Sequence, residues 1–328
     1  MKQPRGAILV AGSANLDFVV RAPHVPGPGE TVLGRELAMI PGGKGANQAV
    51  ACARAGAPTR MLVALGQDTF APLLERSLLE AGVELHVVRV ENEATGVALI
   101  CIGDDAENAI TVAPGANSML RGSDLPSLDG VGYLLLQLET PLDTVLEFAR
   151  AARARDIKVV LNAAPAQALS DELLRVVDVL IVNQDELTKV AGHHGSLAEE
   201  LSSLDIPCAI VTLGSRGCCA CERGAFALQP SFKVNSVDTT AAGDTFCGVF
   251  VASLSSGATL PEALRRASAA AALATTRVGA QSSIPTRDEI ETLLRTDGRS
   301  YQDAIGALEA YCDLATYCGL RRSPAIAS

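Results

Sequence analysis

Residues 238–246 read Asp-Thr-Thr-Ala-Ala-Gly-Asp-Thr-Phe and lead directly into a helical pattern, Gly243–Ser256. The small side chains leave backbone N–H groups accessible where this helix begins, which favours binding of a phosphate group. Asp244 lies in the first turn, where a carboxylate can accept the proton of an attacking hydroxyl group. A helix-capping charge would explain Asp244 alone but not the small residues before it. We interpret the stretch as an anion hole with a general base.

Around this stretch, short runs of Val, Ile and Leu alternate with helical patterns, which predicts an α/β fold with a mostly parallel sheet covered on both faces. Ligands of such sheets bind beyond the carboxyl ends of the strands. The predicted strands are Ala7–Ser13, Thr59–Leu65, Tyr133–Leu138, Lys158–Asn162, Val179–Asn183 and Cys208–Leu213. The other predicted helices are Lys44–Ala55, Phe70–Ala81, Pro141–Arg155, Gln184–Ala191, Leu197–Leu204, Pro261–Thr276 and Thr286–Arg295.

Two segments interrupt this alternation with extended patterns and Pro/Gly punctuation, Phe18–Ile40 and Thr95–Pro114. We predict that they form a small β-sheet that serves as a lid; ordinary hairpins remain the alternative. The expected organisation is one α/β domain over residues 1–298, with lid segments at about 18–40 and 95–114. A C-terminal extension covers residues 299–328 and is predicted to be helical to about Thr316.

Two further polar clusters lie near the N-terminus. In Gly12-Ser-Ala-Asn-Leu-Asp17, Asn15 and Asp17 are two residues apart, so an extended backbone points both side chains to one face, where they can bind hydroxyl groups. A turn-capping pair is the alternative. In Pro41-Gly-Gly-Lys-Gly-Ala-Asn-Gln48, the glycines permit close backbone approach, and Lys44 and Asn47 share one helical face. This helix start can bind an anion or a hydroxyl group.

Two weaker clusters, Asn183–Glu186 and Thr212–Gly217, follow predicted strands, at the edge where a nucleotide would lie. The sequence contains none of the motifs G-x-x-x-x-G-K-[ST], G-x-G-x-x-G or G-x-S-x-G. A P-loop, a dinucleotide-binding Rossmann site and a hydrolase nucleophile elbow are therefore disfavoured.

Composition excludes several classes of partner. The 328 residues include 27 Lys and Arg against 37 Asp and Glu, and the resulting net charge of −10 disfavours nucleic acid as a partner. Aromatic residues make up 3% of the chain and Trp is absent, so a platform on which bases stack is also disfavoured. No apolar run is long enough for a transmembrane helix, so no membrane partner is expected. Nine cysteines without a zinc-like arrangement are interpreted as reduced thiols, which indicates a cytoplasmic location.

The chain resembles the ribokinase-type (PfkB-type) carbohydrate kinase family over residues 6–296. Gly42–Asn47, Gly56 and Gly66 match the N-terminal glycine signature of that family, and Asp238–Phe246 matches its C-terminal signature. Further stretches resemble the ribose-phosphorylating members: Gly12–Asp17, Pro28–Thr31, Gly42–Gln48 and Thr95–Ala98. The residues after 298 have no counterpart that the resemblance identifies.

The resemblance implies a ribokinase-like three-layer α/β/α fold and transfer of the γ-phosphate of ATP to the 5-hydroxyl of ribose, with Asp244 as the base. The implied sugar-binding residues are Asn15, Asp17, Gly43, Lys44, Asn47, Glu139 and Asp244. Those implied for ATP are Asn183, Thr212, Leu213, Gly214, Ser215, Arg216, Gly217, Gly243 and Ser268, of which Ser268 departs from the usual Asn or His. Glu186 would help to organise Mg²⁺. A monovalent cation, usually K⁺, would lie at Asp238, Thr240, Ala274, Arg277, Gly279 and Ser283.

We also predict a homodimer formed through the lid. Two alternatives stay open at this point. One is a kinase of the same family that acts on another sugar or on a nucleoside. The other is a non-catalytic sugar-binding regulator on the same scaffold, against which the presence of Gly243 and Asp244 argues.

Overall fold

The central sheet has nine strands in the computed structural model, which describes residues 6–105, 107–298 and 301–314. Its strand order is β13-β12-β11-β10-β9-β8-β1-β4-β5, and all pairs are parallel except β11–β12 and β12–β13. In chain order the strands of the protein are β1 (Ala7–Ala11), β2 (Asn15–Arg21), β3 (Glu36–Gly42), β4 (Thr59–Gly66), β5 (Glu84–Val90), β6 (Gly96–Ile102), β7 (Asn108–Ala113), β8 (Val131–Leu136), β9 (Lys158–Asn162), β10 (Val179–Asn183), β11 (Cys208–Thr212), β12 (Gly217–Glu222) and β13 (Ala225–Pro230).

Helices cover both faces of this sheet. They are α1 (Lys44–Arg54), α2 (Ala71–Glu80), α3 (Leu142–Arg153), α4 (Asp171–Val176), α5 (Gln184–Ala191), α6 (Leu197–Ser203), α7 (Ala242–Ser255), α8 (Leu260–Ala274), α9 (Arg287–Thr296) and α10 (Gln302–Tyr311). In β1, Ile8 and Val10 join a core cluster with α1, α2, α7, α8 and α9, whereas Leu9 and Ala11 join a second cluster with α3, α4, α5, α6 and α10. Alternate residues of a strand point to opposite faces, so apolar strands generate two cores. The predicted three-layer α/β fold is confirmed.

The second sheet is small, with the order β3-β2-β6-β7. β2 pairs antiparallel with β3 and parallel with β6, and β6 pairs antiparallel with β7. The prediction of a small sheet from these two segments is confirmed, but residues 22–35 of the first segment contain no strand.

Several predicted boundaries were wrong. β1 ends at Ala11 rather than Ser13, because the chain leaves the central sheet there and enters the small one at Asn15. β5 was missed because, as a partly exposed edge strand, it lacks a continuous apolar run. The predicted C-terminal helix is observed as α10 and ends at Tyr311, while Thr316 lies outside the described residues. Within the described parts of the chain, no helix is both long and apolar enough to cross a membrane.

The packing of α1 against α7 positions the functional site. Gly248 of α7 lies directly on α1: a Cβ atom there would be 2.5 Å from the carbonyl oxygen of Gln48 and 2.5 Å from Cβ of Ala51. Real Cβ atoms do not approach other heavy atoms so closely, so the helix spacing depends on glycine at this position. The thiol of Cys52 donates a hydrogen bond to the carbonyl oxygen of Gly248 at 3.3 Å. Residues at the starts of the two helices are thereby brought together.

Candidate active site

The candidate site lies at the carboxyl ends of the parallel strands, as expected for this class of sheet. Ser13 and Asn15 follow β1, and Glu139 follows β8. Asn183 and Thr212 are the last residues of β10 and β11. The starts of α1 and α7 complete this edge of the sheet with Asn47 and Asp244.

The carboxylate of Asp244 is held by two amide side chains of α1. Asn47 Nδ2 donates to Asp244 Oδ2 at 2.9 Å, and Gln48 Nε2 donates to Asp244 Oδ1 at 3.0 Å. Asp244 is buried, with 8% of its surface exposed. Two donors to its two oxygens fix the plane of the carboxylate, because each hydrogen bond has a preferred direction.

Gln48 is itself held by a chain of buried amides. Gln137 Nε2 donates to Gln48 Oε1 at 2.7 Å, and Gln48 Nε2 is shared between Asp244 and Asn162 Oδ1, at 3.0 Å from the latter. Asn162 Nδ2 in turn donates to the carbonyl oxygen of Ile181 in β10 at 3.0 Å. The orientation of Asp244 is thus connected to the central sheet through side chains from α1 and β9.

Asn15 and Asp17 both lie in the strand β2, which is the extended backbone that their spacing of two requires, and both are buried. Asn15 Oδ1 accepts a hydrogen bond from Asn117 Nδ2 at 2.8 Å. Asn117 is fixed in turn, since its Oδ1 accepts from the backbone N–H of Ala14 at 3.0 Å. The alternative reading of Asn15 and Asp17 as a turn-capping pair is therefore wrong, because both residues belong to a strand.

A second carboxylate anchors the start of α1. Glu139 Oε2 accepts a hydrogen bond from Ser13 Oγ at 2.5 Å and from the backbone N–H of Lys44 at 3.1 Å. Gly43, the residue before α1, has φ of 89°, and a Cβ atom there would lie 2.7 Å from the backbone nitrogen of Asn15. Glycine permits both the positive φ and this close approach of two backbones.

The charge of Lys44 is set by its surroundings. Burial by itself would lower the pKa of Lys44, but the carboxylates of Asp244, Glu139 and Glu186 raise it above its ordinary value. Lys44 therefore stays protonated and offers a cation among three acids.

The surroundings of Asp17 oppose the ionisation of its side chain. Burial, together with repulsion from Glu139 and Asp244, raises the pKa of Asp17 from 3.8 to about 7. Near neutral pH this carboxyl group is therefore only partly ionised, and the electrostatic cost of its ionised form would be offset by polar hydrogen atoms of a ligand.

Asn47 has one side-chain oxygen that the described part of the protein does not pair. Its Oδ1 atom is buried and has no hydrogen-bond partner among the described residues. Buried polar atoms are nearly always paired in folded proteins, so this acceptor beside Asp244 is available to a donor such as a hydroxyl group of a ligand.

The first turn of α7, where the sequence predicts an anion site, is open to a ligand. Ala241, which precedes the helix, adopts the left-handed conformation with φ of 57°. A non-glycine residue there costs about 1 kcal/mol, and such strain is concentrated at functional sites. Gly243 has no heavy atom within 4 Å of the position a Cβ would take, so the turn is open to a ligand.

A cavity of approximately 790 Å³ adjoins this turn. Seven of the residues predicted to face ATP line it: Thr212, Gly214, Ser215, Arg216, Gly217, Gly243 and Ser268. Leu213 does not, because its side chain is buried in the core cluster that it shares with β1 residues Leu9 and Ala11. The volume is in the range typical of small-molecule sites.

Asn183 and Glu186 form a capping box at the start of α5. The backbone N–H of Glu186 donates to Asn183 Oδ1 at 2.8 Å, and Glu186 Oε2 accepts from the backbone N–H of Asn183 at 2.8 Å. Burial raises the pKa of Glu186. One oxygen of each side chain is therefore engaged in holding the helix.

The residues predicted to hold a monovalent cation come from two adjoining segments. Asp238 Oδ1 accepts hydrogen bonds from the backbone N–H and the hydroxyl of Thr240, at 2.9 and 2.6 Å, and Asp238 Oδ2 accepts from the backbone N–H of Gly279 at 2.8 Å. Burial opposes the ionisation of Asp238, but these hydrogen bonds lower its pKa overall. Among the described residues, this segment included, no group of three or more His, Cys, Asp or Glu is arranged to hold a metal ion.

Comparison with known proteins places this site in a family. Residues 6–287 match the profile of the pfkB family of carbohydrate kinases. The chain belongs to this family. The kinase is 40% identical over 300 residues to the ribokinase of Haemophilus influenzae, an alignment that covers 87% of this chain and 97% of that protein.

Two other relatives bear on the substrate of this pfkB-family kinase. The solved structure of the Arabidopsis thaliana ribokinase complexed with ribose and ATP superposes with a TM-score of 0.82 at 32% identity and covers 89% of this chain and 99% of that one. The deoxyribokinase of Salmonella typhi is 32% identical over 300 residues, covering 88% of this chain and 98% of that protein.

Three buried amides of the kinase were missed by sequence reasoning: Asn117, Gln137 and Asn162. Each is a single polar residue outside any motif, so no local pattern identified it. Gln48 belongs to the glycine-rich stretch, but its contact with Asp244 was not predicted, although its position next to Asn47 could have indicated it.

The raised pKa of Asp17 predicts how the stability of the unliganded kinase depends on pH. Between pH 3.8 and about 7 the folded protein holds a proton that the unfolded chain has released, so the free energy of unfolding falls as pH rises. Asn cannot ionise. We expect Asp17→Asn to gain about 2 kcal/mol relative to the wild type between about pH 5 and about pH 8.

Urea denaturation at the two pH values measures this difference. The exposed Asp205→Asn is the control for loss of one carboxylate. An Asp17→Asn protein whose stability follows that of the wild type across this range would contradict the electrostatic cost assigned to Asp17.

Proposed function

We propose that this kinase phosphorylates D-ribose at the 5-hydroxyl with ATP, giving ribose 5-phosphate and ADP, with Asp244 as general base. The observation that carries the proposal is the position of Asp244. Its carboxylate lies in the first turn of α7, beside the unpaired Oδ1 of Asn47, and between the polar cluster of β2 and the nucleotide-sized cavity. This is the arrangement that transfer of a phosphate group to a hydroxyl group requires.

The sugar is proposed to bind on the side of β2 and α1. Asp17 and Asn47 offer oxygen acceptors to its hydroxyl groups, and Asn15 and Lys44 offer further polar contacts. Gly43 allows the backbone to approach, while Glu139 holds the start of α1 in place. A pocket that recognises its ligand by polar groups suits a small polyol better than a nucleoside, whose base favours aromatic partners.

In the proposed step, the 5-hydroxyl oxygen attacks the γ-phosphorus of ATP. The new oxygen–phosphorus bond forms as the bond to the β-phosphate oxygen breaks, the hydroxyl proton passes to Asp244, and ADP leaves. The hydrogen bonds from Asn47 and Gln48 aim the carboxylate at that proton. The N–H groups around Gly243 stabilise negative charge on the transferred phosphate.

Nucleotide binding is proposed along Thr212–Gly217, Gly243 and Ser268, which line the cavity, with Asn183 at the edge of the sheet. Leu213 would take part through its backbone. Glu186, a buried oxygen donor beside Lys44, suits a role in organising hydrated Mg²⁺. When bound, Mg²⁺ neutralises phosphate charge.

Removal of the base tests the chemistry. We expect Asp244→Asn to reduce kcat for ribose phosphorylation by roughly 10²–10⁴-fold, as for loss of a general base, with the fold retained. A coupled assay of ADP release measures kcat, and circular dichroism checks the fold. Asp178→Asn is the matched control, because Asp178 is also buried but lies at the other end of β10, paired with Arg153 and Lys158. Near-normal turnover in Asp244→Asn would overturn the proposal.

The same assay distinguishes the alternatives with a panel of ribose, 2-deoxyribose, hexoses and nucleosides. The relationship to a deoxyribokinase makes 2-deoxyribose the closest competitor. If only a hexose or a nucleoside is turned over, that compound and not ribose is the substrate. Sugar binding without turnover of any candidate would favour the regulator.

We also propose that a monovalent cation, usually K⁺ in this family, binds at Asp238, Thr240, Ala274, Arg277, Gly279 and Ser283. The donors fit such an ion, since carboxylate, hydroxyl and backbone carbonyl oxygens are hard ligands. The hydrogen bonds from Thr240 and Gly279 to Asp238 keep its carboxylate ionised and draw the two segments together next to α7. A bound cation would raise the electrostatic potential at the anion hole, which favours a negatively charged phosphate group there.

Replacement of NaCl by KCl at constant ionic strength tests this site. We expect wild-type activity to rise with KCl, and Asp238→Asn to raise the half-activating K⁺ concentration by about tenfold, because one charged ligand is lost. Asp205→Asn should respond as the wild type does. Identical activity in Na⁺ and K⁺, or an unchanged K⁺ response of Asp238→Asn, would contradict the proposed site.

We propose that the small sheet is a lid and pairs two chains. Exposed large apolar side chains are concentrated on it, among them Leu37, Met39, Leu99, Ile110 and Val112. The register places Met39 and Leu99 on either side of Phe18, so these residues share a face. Exposed apolar patches of this kind mark protein interfaces.

Light scattering coupled to size-exclusion chromatography tests the dimer. We expect Leu99→Lys to convert a dimer to a monomer, because a buried unpaired lysine is costly in an interface. Leu79→Lys is the control: Leu79 is 58% exposed and Leu99 57%, but Leu79 lies on α2, outside the small sheet. A wild-type monomer, or a dimer unaffected by Leu99→Lys, would contradict this interface.

The proposed organisation is a kinase domain of residues 1–298 followed by the C-terminal extension. A cytoplasmic location is proposed from the thiols: the described residues contain eight free cysteines and none in a disulfide, as in reducing compartments. Cell fractionation measures the location, and recovery outside the cytoplasm would overturn it.

A further inference from the structure

Helix α10 forms one wall of the cavity next to α7. Four of its residues line the cavity: Ala304, Ala307, Leu308 and Tyr311. Their spacing of three and four residues places them on one face of the helix. This helix lies after residue 287, where the match to the pfkB family ends, so the family profile does not include this wall.

The core anchors α10 firmly in that position. Leu308 and Cys312 are buried, with 2% and 0% exposure, and belong to the core cluster on that face of the sheet. The thiol of Cys312 shares a hydrogen bond with that of Cys219 in β12, and the backbone N–H of Ala198 donates to the carbonyl oxygen of Cys312 at 3.2 Å. The helix is therefore an integral part of the cavity wall.

Tyr311 connects α10 to two segments that follow parallel strands. Its ring packs under the guanidinium group of Arg216, whose central carbon lies 4.3 Å from the ring centroid. Its hydroxyl donates to Gln184 Oε1 at the start of α5, at 2.8 Å. Arg216 is otherwise exposed, so the ring fixes the direction of a cation at the mouth of the cavity.

The chemistry of the wall indicates which part of a ligand it contacts. Ala304, Ala307 and Leu308 offer apolar surface, as does Phe232 on the neighbouring segment. Burying phosphate oxygens against such groups is costly, whereas a nucleoside offers apolar faces. The phosphates belong instead at the first turn of α7, near Gly243.

We propose that α10 is part of the nucleotide-binding site, with Ala304 and Ala307 setting the width available to the nucleoside and Tyr311 positioning Arg216. The inference rests on the proposed ATP-dependent function and extends it to a segment outside the family signature. The small side chains of α10 thereby determine nucleotide affinity, while the sugar site at β2 and α1 is independent of them.

A larger side chain on the cavity-facing side of α10 tests whether this helix contacts the nucleotide. Ala307→Phe places a ring in the cavity, whereas Ala310→Phe adds the same ring to an exposed position of α10 that does not line it. We expect Ala307→Phe to weaken ADP binding in calorimetry, and to raise KM for ATP, by about tenfold, with KM for ribose within about twofold. Ala310→Phe should match the wild type. Equal ADP affinity in both variants would overturn the proposal.

A second pair of variants tests Tyr311. Tyr311→Ala removes the ring and should weaken ADP binding by about threefold, whereas Tyr311→Phe keeps the ring under Arg216 and should bind ADP within about twofold of the wild type. If Tyr311→Ala binds ADP as tightly as the wild type does, the positioning role of Tyr311 is contradicted.

Hydrogen–deuterium exchange on the wild-type chain gives an independent measurement. ADP should slow amide exchange in residues 302–311, and unchanged exchange there would contradict contact with α10. A wild-type protein that does not bind ADP at all would instead overturn the proposed kinase function. The two failures are therefore distinguishable.

Discussion

Two hydrogen bonds between α1 and α7 determine the arrangement of the site. Asn47 and Gln48 donate to the two oxygens of Asp244, which lies almost 200 residues later in the chain, at a sequence separation of 197 from Asn47. The site needs both helices, since α1 carries Lys44 and Asn47, which we propose bind the sugar, and α7 carries Asp244 and the turn that we propose as base and anion hole. The buried amides behind Gln48 extend this constraint into the sheet, because Gln48 is hydrogen-bonded to Gln137 and Asn162 as well as to Asp244.

The charge distribution explains how an acidic protein can use an anionic substrate. The chain carries a net charge of −10, and Asp17, Glu139, Glu186 and Asp244 bring four acids to one edge of the sheet. Lys44 and the N–H groups of α7 oppose them only locally. Anion binding therefore depends on oriented dipoles, and on the cations that we propose, rather than on a basic surface. Burial, together with repulsion from Glu139 and Asp244, gives Asp17 its raised pKa.

Much of the fold and of the candidate site could be read from the sequence, for identifiable reasons. Buried parallel strands are nearly continuous apolar runs, so the sequence pattern predicts most of the central sheet. The polar residues of the candidate site lie close together in short motifs, so the pattern also indicates Asn15, Asp17, Lys44 and Asp244. Asn117, Gln137 and Asn162 were not, because only the topology brings these isolated amides to the site. The same holds for α10, whose stripe of small and apolar residues predicts a helix but not the cavity that it covers.

Gly248 shows how far the chemical constraint extends along α7. It has no side chain and lies a full turn beyond Asp244, yet its contact with the backbone of Gln48 sets the distance over which both amides reach the carboxylate. The functional unit of this helix therefore does not end with the signature at Phe246. Gly248 therefore constrains the candidate site through the spacing of the two helices alone, because a larger side chain there would push Asn47 and Gln48 away from Asp244.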